Sequence, residues 1–121
     1  MPTTVHVVAA DQADRRWIAS ALAAAVDMDV LFLDDQASLL ANPPSDRSCV
    51  IALADADELA TLALVREMRS RGMMLPVIVL GSHKAFRTAV EIARLPATDF
   101  LERPVSAHQL RQAILRAVSG G

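Results

Sequence analysis

Short apolar runs alternate along the whole chain with stretches in which apolar residues recur every three or four positions. Residues 5–9 (VHVVA) are an apolar run that stops before Asp11, as a buried strand does. Asp11 then suits a helix N-cap, with Asp14 three residues on, and Trp17, Ile18, Ala21, Leu22 and Ala25 follow at helical spacing. Residues 30–33 (VLFL) predict a second strand. Asp35 opens a short helix through Leu39 and Leu40, which Asn42-Pro43-Pro44 ends. Residues 49–53 (CVIAL) predict the third strand. A helix from about residue 57 to 71 follows, with Leu59, Leu62, Val65 and Met68 inward and Gly72 as its C-terminal cap. The clearest strand is 76–80 (PVIVL). A fourth helix runs from near Ala85 to Leu95 with Ala89, Ile92 and Ala93 inward, and 99–102 (DFLE) is a short fifth strand. Ser106 and Gln109 have capping-box spacing and open a last helix striped with Leu110, Ala113, Ile114, Ala117 and Val118.

Five strands alternating with five helices predict right-handed crossovers and a parallel sheet covered on both faces. In such an open sheet, ligands bind beyond the carboxyl ends of the strands, where the strand order reverses. That rule singles out Ala9-Ala10-Asp11, Leu53-Ala54-Asp55, Gly81-Ser82-His83, Thr98-Asp99 and Arg103-Pro104.

Composition narrows the function classes. A chain of 121 residues predicts one domain over 1–121, and 53% hydrophobic against 21% charged residues excludes disorder. No apolar run approaches the roughly 20 residues of a membrane span, and the first residues show no signal-type stretch, so the expectation is a cytoplasmic protein without membrane contact. Twelve basic residues against fourteen acidic ones argue against direct nucleic-acid contact. A single cysteine, Cys49, excludes a disulfide framework, and its apolar run predicts a small buried hydrophobe. His6, His83 and His108 fit no metal-ligand spacing, and the chain has no glycine-rich phosphate loop and no nucleophile elbow. Trp17 is expected in helix packing, and Met73-Met74 as loop and core filler. No catalytic group, metal or cofactor is expected.

The strand-end segments, at this spacing, resemble the receiver domain of two-component response regulators, in its FixJ-like branch. The resemblance is carried by 5–8 (VHVV), Arg15-Arg16, 49–53 (CVIAL), Arg71-Gly72 through 75–80 (LPVIVL), and 99–104 (DFLERP), and it covers nearly the whole chain. It implies a flavodoxin-like (CheY-like) three-layer α/β fold with a five-stranded parallel sheet in the order 2-1-3-4-5, and a cis peptide between Arg103 and Pro104. It also implies a chemistry. In the family, two acidic residues after the first strand hold Mg²⁺, and an aspartate ending the third strand accepts the phosphoryl group. A Ser or Thr ending the fourth strand and a Lys before the proline bind the phosphoryl oxygens. Several negative charges meet there, and only cations make the arrangement tolerable.

At each of these positions the chain departs from its relatives. The acidic pair falls on Ala9 and Ala10, the phosphoacceptor on Leu53, the hydroxyl on Gly81 and the lysine on Arg103. Methyl groups do not ligate a hard cation, and Leu53 has no electron pair to give. The expectation is therefore an atypical receiver that acts by protein–protein contact without aspartyl phosphorylation.

Two alternatives stand beside it. One is a phosphorylatable receiver with a shifted site, in which Asp55 is the acceptor and Asp11 and Ser82 assist. Local roles compete for each: N-cap for Asp11, loop carboxylate for Asp55, loop hydroxyl for Ser82, and for Arg103 an ion pair with Asp11 or Asp55. Rebuilding the site needs shifts of one, two and one residue, and on a strand a one-residue shift turns a side chain to the other face. The other alternative is a small-ligand binder of flavodoxin type. The family also implies partners: a histidine kinase-like protein, an effector domain, or a second copy. Docking would use the face of the fourth helix, fifth strand and last helix, through Arg87, Glu91, Arg94, Glu102, Arg103 and Arg111.

Overall fold

Each predicted apolar run becomes a strand. In the computed structural model, which describes residues 3–9, 11–23, 27–33, 48–54 and 58–119, the strands are β1 (Thr3–Val8), β2 (Met28–Leu33), β3 (Ser48–Leu53), β4 (Val77–Gly81) and β5 (Thr98–Glu102). All pairings are parallel, in the order β2-β1-β3-β4-β5, which is the order the resemblance implied. Every residue of β3 and β4 is buried, which is why both read as unbroken apolar runs. The edge strands β2 and β5 stay half-exposed.

Four helices are described: α1 (Gln12–Leu22), α2 (Glu58–Ser70), α3 (Phe86–Ala93), which follows a 3-10 turn (His83–Ala85), and α4 (Ala107–Ser119). The short helix predicted from Asp35 through Leu40 lies outside the described residues. Ile18 and Leu22 of α1, with Leu110 and Ile114 of α4, pack on Val5, Val7, Ile51 and Leu80. Leu62, Leu64, Val65 and Met68 of α2, with Ile92 of α3, pack on Val50, Val77 and Val79 of the opposite face. Full burial stabilises each such side chain by about 1.5–3 kcal/mol, so the two layers dominate the stability.

The predicted caps are present. The Asp11 carboxylate accepts from the backbone N–H groups of Ala13 (2.7 Å) and Asp14 (3.2 Å). Ser106 and Gln109 exchange side-chain and backbone hydrogen bonds of 3.0 and 2.9 Å. Gly72 ends the turn after α2 at φ +77°, where a β-carbon is disfavoured. Cys49 is fully buried, and burial pushes its thiol pKa up to about 12, which fits a small inert hydrophobe. Trp17 packs partly buried against the core.

Two inward assignments need correction. Leu59 is 81% exposed, and Leu64 is buried in its place. The predicted stripe advanced in steps of three residues, each about 60° short of a full turn, so over three steps it crosses to the far side of the helix. Ala93 is exposed, and Thr88 holds the inward position on α3. Of the methionine pair, Met73 packs partly against the core while Met74 is exposed.

Candidate functional site

The carboxyl edge of the sheet is built largely from hydrocarbon. Ala9, just beyond β1, is buried in one cluster with Leu53 and Val105. Leu53, the last residue of β3, is 8% exposed and lies in register with Leu80 of β4. Its carbonyl accepts a 3.3 Å bond from the buried Thr61 hydroxyl in the second turn of α2, which ties strand end to helix. Gly81 closes β4. A β-carbon there would stand 2.9 Å from Cζ of Phe100 and 3.2 Å from Cβ of Ala85.

Arg103 follows β5 across a cis Arg103–Pro104 bond. Its backbone N–H donates to the Gly81 carbonyl at 2.8 Å. Its guanidinium Nη2 lies 2.9 Å from Oδ1 of Asp14 on α1, with both side chains mostly buried. The expected ion-pair partner was Asp11 or Asp55; among the described residues Arg103 pairs with Asp14, while Asp11 turns its carboxylate back onto the first turn of its own helix and Asp55 lies outside the described residues.

Two of the three residues of the shifted site are described. Asp11 is an exposed cap, and Ser82 accepts at 3.3 Å from the Lys84 backbone N–H as the cap of the 3-10 turn. Asp55 and Ala10 lie outside the described residues. The family's Mg²⁺ wants several oxygen donors in octahedral array. Ala9 and Leu53 supply none, Asp14 is engaged by Arg103, and no group of three metal-ligating side chains exists among the described residues. The described donor set does not fit the ion.

Two contributors were not legible in the sequence. Arg15 donates through Nε to the Ala9 carbonyl and through Nη2 to the Leu33 carbonyl at 3.2 Å, with its guanidinium 5.6 Å from the Phe32 ring centre. It thus joins the carboxyl ends of β1 and β2. Phe100 fills the space beside Gly81. A glycine at a strand end is the one signal that would have pointed to a neighbouring ring.

The expected docking residues separate into groups. Arg87, Arg94 and Glu102 are exposed. Glu91 pairs with Arg66 of α2 (3.0 Å) and with Arg94 (3.5 Å). Arg111 reaches away from α3, to the Ala21 carbonyl of α1 at 3.0 Å, and Arg103 also turns toward α1. The exposed apolar residues of this side are Phe86 (71%) and Val90 (36%), one helical turn apart on α3. Among the described residues, no helix is long and apolar enough to cross a membrane.

This arrangement of strands, helices and strand-end positions recurs in known proteins. The chain is 34% identical over 100 residues to the transcriptional regulatory protein FixJ of Azorhizobium caulinodans, covering 83% of this chain and 47% of that protein. It is 32% identical over 88 residues to FixJ of Bradyrhizobium diazoefficiens, covering 73% and 43%. The chain thus spans about half the length of these curated relatives. Among solved structures, full-length FixJ from B. japonicum superposes with a TM-score of 0.84 at 26% identity, over 96% of this chain and 57% of that one. A response regulator receiver protein from Pseudoalteromonas atlantica superposes with a TM-score of 0.81 at 23% identity, over 97% and 98%. No family model matches the chain. The chain belongs to the receiver domains of two-component response regulators.

Proposed function

We propose that residues 1–121 form an atypical receiver that acts in two-component-type signalling by protein–protein contact, without aspartyl phosphorylation, catalysis or a bound cofactor. Leu53 carries this reading. At the end of β3, where the family places its phosphoacceptor, a leucine is packed with Ala9 and Val105. Replacing a charged cluster by packed hydrocarbon removes both the self-repulsion of the carboxylates and the need for a cation.

The working surface is the side formed by α3, β5 and α4. Exposed Arg87 on α3, Arg94 at its C-terminal cap and Glu102 on β5 give it charges of both signs, and Phe86 and Val90 give it apolar area. Mixed charge around exposed hydrocarbon suits self-complementary pairing about a twofold axis, so a second copy is the first partner to test. A histidine kinase-like protein or an effector domain is the alternative partner. A cytoplasmic setting goes with this role.

The deciding experiment pairs a phosphodonor with Mg²⁺. Acetyl phosphate is expected to leave the intact mass unchanged, and Mg²⁺ with beryllofluoride to leave the Tm unchanged. Stable phosphoryl incorporation that disappears in Asp55→Ala would instead establish the shifted site of Asp11, Asp55 and Ser82.

A further inference from the structure

Helices α2 and α3 lie side by side, and their outward faces carry more positive than negative charge. Residues 58–94 hold six of the chain's twelve basic side chains and only three of its fourteen acidic ones, in a chain of net charge -2. All three carboxylates are engaged. Glu67 pairs with Arg71 at 2.7 Å, and Glu58 accepts from the Thr88 hydroxyl of α3 at 3.2 Å. Glu91 serves two guanidiniums, Arg66 of α2 at 3.0 Å and Arg94 at 3.5 Å. Arg87, exposed on α3, has no carboxylate partner among the described residues.

Spacing gathers these residues into one face. On α2, Leu59, Ala63 and Arg66 follow at intervals of four and three, the positions of a single helical stripe, and all are exposed. Arg87, Glu91 and Arg94 repeat those intervals along α3 and its cap. The Arg66–Glu91 and Glu58–Thr88 contacts join the two stripes, so their relative position is set before any partner arrives. An exposed leucine and a small alanine thus stand beside three guanidiniums that face a single carboxylate. Phe86 and Val90, the apolar residues of the proposed pairing face, fall on a different row of α3.

We propose that this α2–α3 face binds an acidic amphipathic helix of a partner protein. The acidic row of that helix meets Arg66, Arg87 and Arg94, and its apolar row lies on Leu59 and over Ala63. Leu59, 81% exposed, favours a protein over a nucleic acid, whose phosphate backbone offers no apolar row. The chain's net negative charge also repels a long polyanion, while a short acidic helix meets only the local positive face. The inference stands apart from self-pairing through β5, because Leu59, Ala63 and Arg66 belong to α2.

The test uses the full chain and a fluorescein-labelled peptide of about 15 residues that forms a helix with a glutamate row beside a leucine–alanine row. Fluorescence anisotropy is expected to show binding that weakens as salt rises. A peptide with glutamine in place of glutamate is expected to bind about tenfold more weakly. Leu59→Gln is expected to weaken the glutamate peptide about fivefold, and Arg66→Glu to remove most of the preference for glutamate over glutamine. Should Arg66→Glu not fold, Arg66→Gln is read in its place, with that preference expected to fall about threefold. Absence of binding, or equal binding of the two peptides, overturns the proposal. So does binding that either Leu59→Gln or the Arg66 variant leaves untouched. Tighter binding of a single-stranded oligonucleotide or of phosphatidylserine vesicles than of the glutamate peptide also overturns it. Sedimentation of the chain alone completes the test: a parent dimer that Leu59→Gln dissociates assigns the face to a second copy and overturns the acidic partner.

Discussion

The two edges of the sheet handle charge in opposite ways. At the amino edge, Arg69 of α2 lies under the loops that lead into β4 and β5. Its guanidinium donates to the carbonyls of Met73, Leu75 (2.8 Å), Pro96 (2.7 Å) and Ala97 (3.0 Å). Burial lowers its pKa from the ordinary value. At the carboxyl edge, Arg103 meets the Asp14 carboxylate, and three of the strands end there, at Leu53, at Gly81 and just before Ala9. The edge without chemistry is held by a cation that closes two loops, including the positive-φ Ala97. At the other edge, Ala9 and Leu53 are packed as core. The fastening of these loops thus lies at the edge opposite Ala9, Leu53 and Gly81.

Substitutions can break this contrast, beginning with the largest effect. Leu53→Asp is expected to destabilise by about 4 kcal/mol at pH 7, since it buries an unpaired carboxylate. Burial raises the folded-state pKa of such a group. The loss is therefore full above that pKa and shrinks as the pH falls through it, which urea titrations at pH 7 and pH 5 would register. An undiminished midpoint at pH 7 would mean that the edge is wet and open.

Arg69→Met is expected to remove about 2 kcal/mol, because several loop carbonyls lose a charged donor. The check is the urea midpoint, together with faster amide exchange in both loops. If exchange rises in only one loop, Arg69 does not join them. Asp11→Ala is expected to lose about 1 kcal/mol as a cap and to leave the thermal response to Mg²⁺ as flat as in the parent. A cation response abolished by this substitution would make Asp11 a ligand.

Asp14→Ala is expected to lose at most about 1 kcal/mol, with the difference narrowing at high salt, as for a partly exposed ion pair. The smallest effect concerns His6, whose half-buried ring has a pKa lowered by desolvation. The unfolded chain binds this proton more readily. Stability is therefore lost as the pH falls below the ordinary value near 6.5 and on through the depressed folded pKa, and His6→Gln should flatten that slope.

Most of the strands were legible because their signal is local. The runs at 49–53 and 76–80 are apolar without interruption, and the strands built on them, β3 and β4, are buried throughout. The capping box at Ser106 and the glycine stop at Gly72 were legible for the same reason. The inward face of α2 was not, since a step of three residues imitates a helical stripe over one turn and drifts over several. The proposed docking side was legible only as composition. Glu91, Arg103 and Arg111 lie within the predicted region, yet their side chains reach to Arg66, Asp14 and Ala21.

The sequence by itself determined the alternation of strands and helices, and the presence of Ala9, Leu53 and Gly81, without side-chain oxygens, at the strand ends. Both are properties of single positions and short windows. Tertiary structure decided which carboxylate holds Arg103, which carbonyls Arg69 gathers, and that Phe100 fills the space at Gly81. Those contacts join residues from 4 to 89 positions apart. Most of them form only when crossovers bring neighbouring strands into register, and no local pattern encodes which of several reachable partners a long side chain will take.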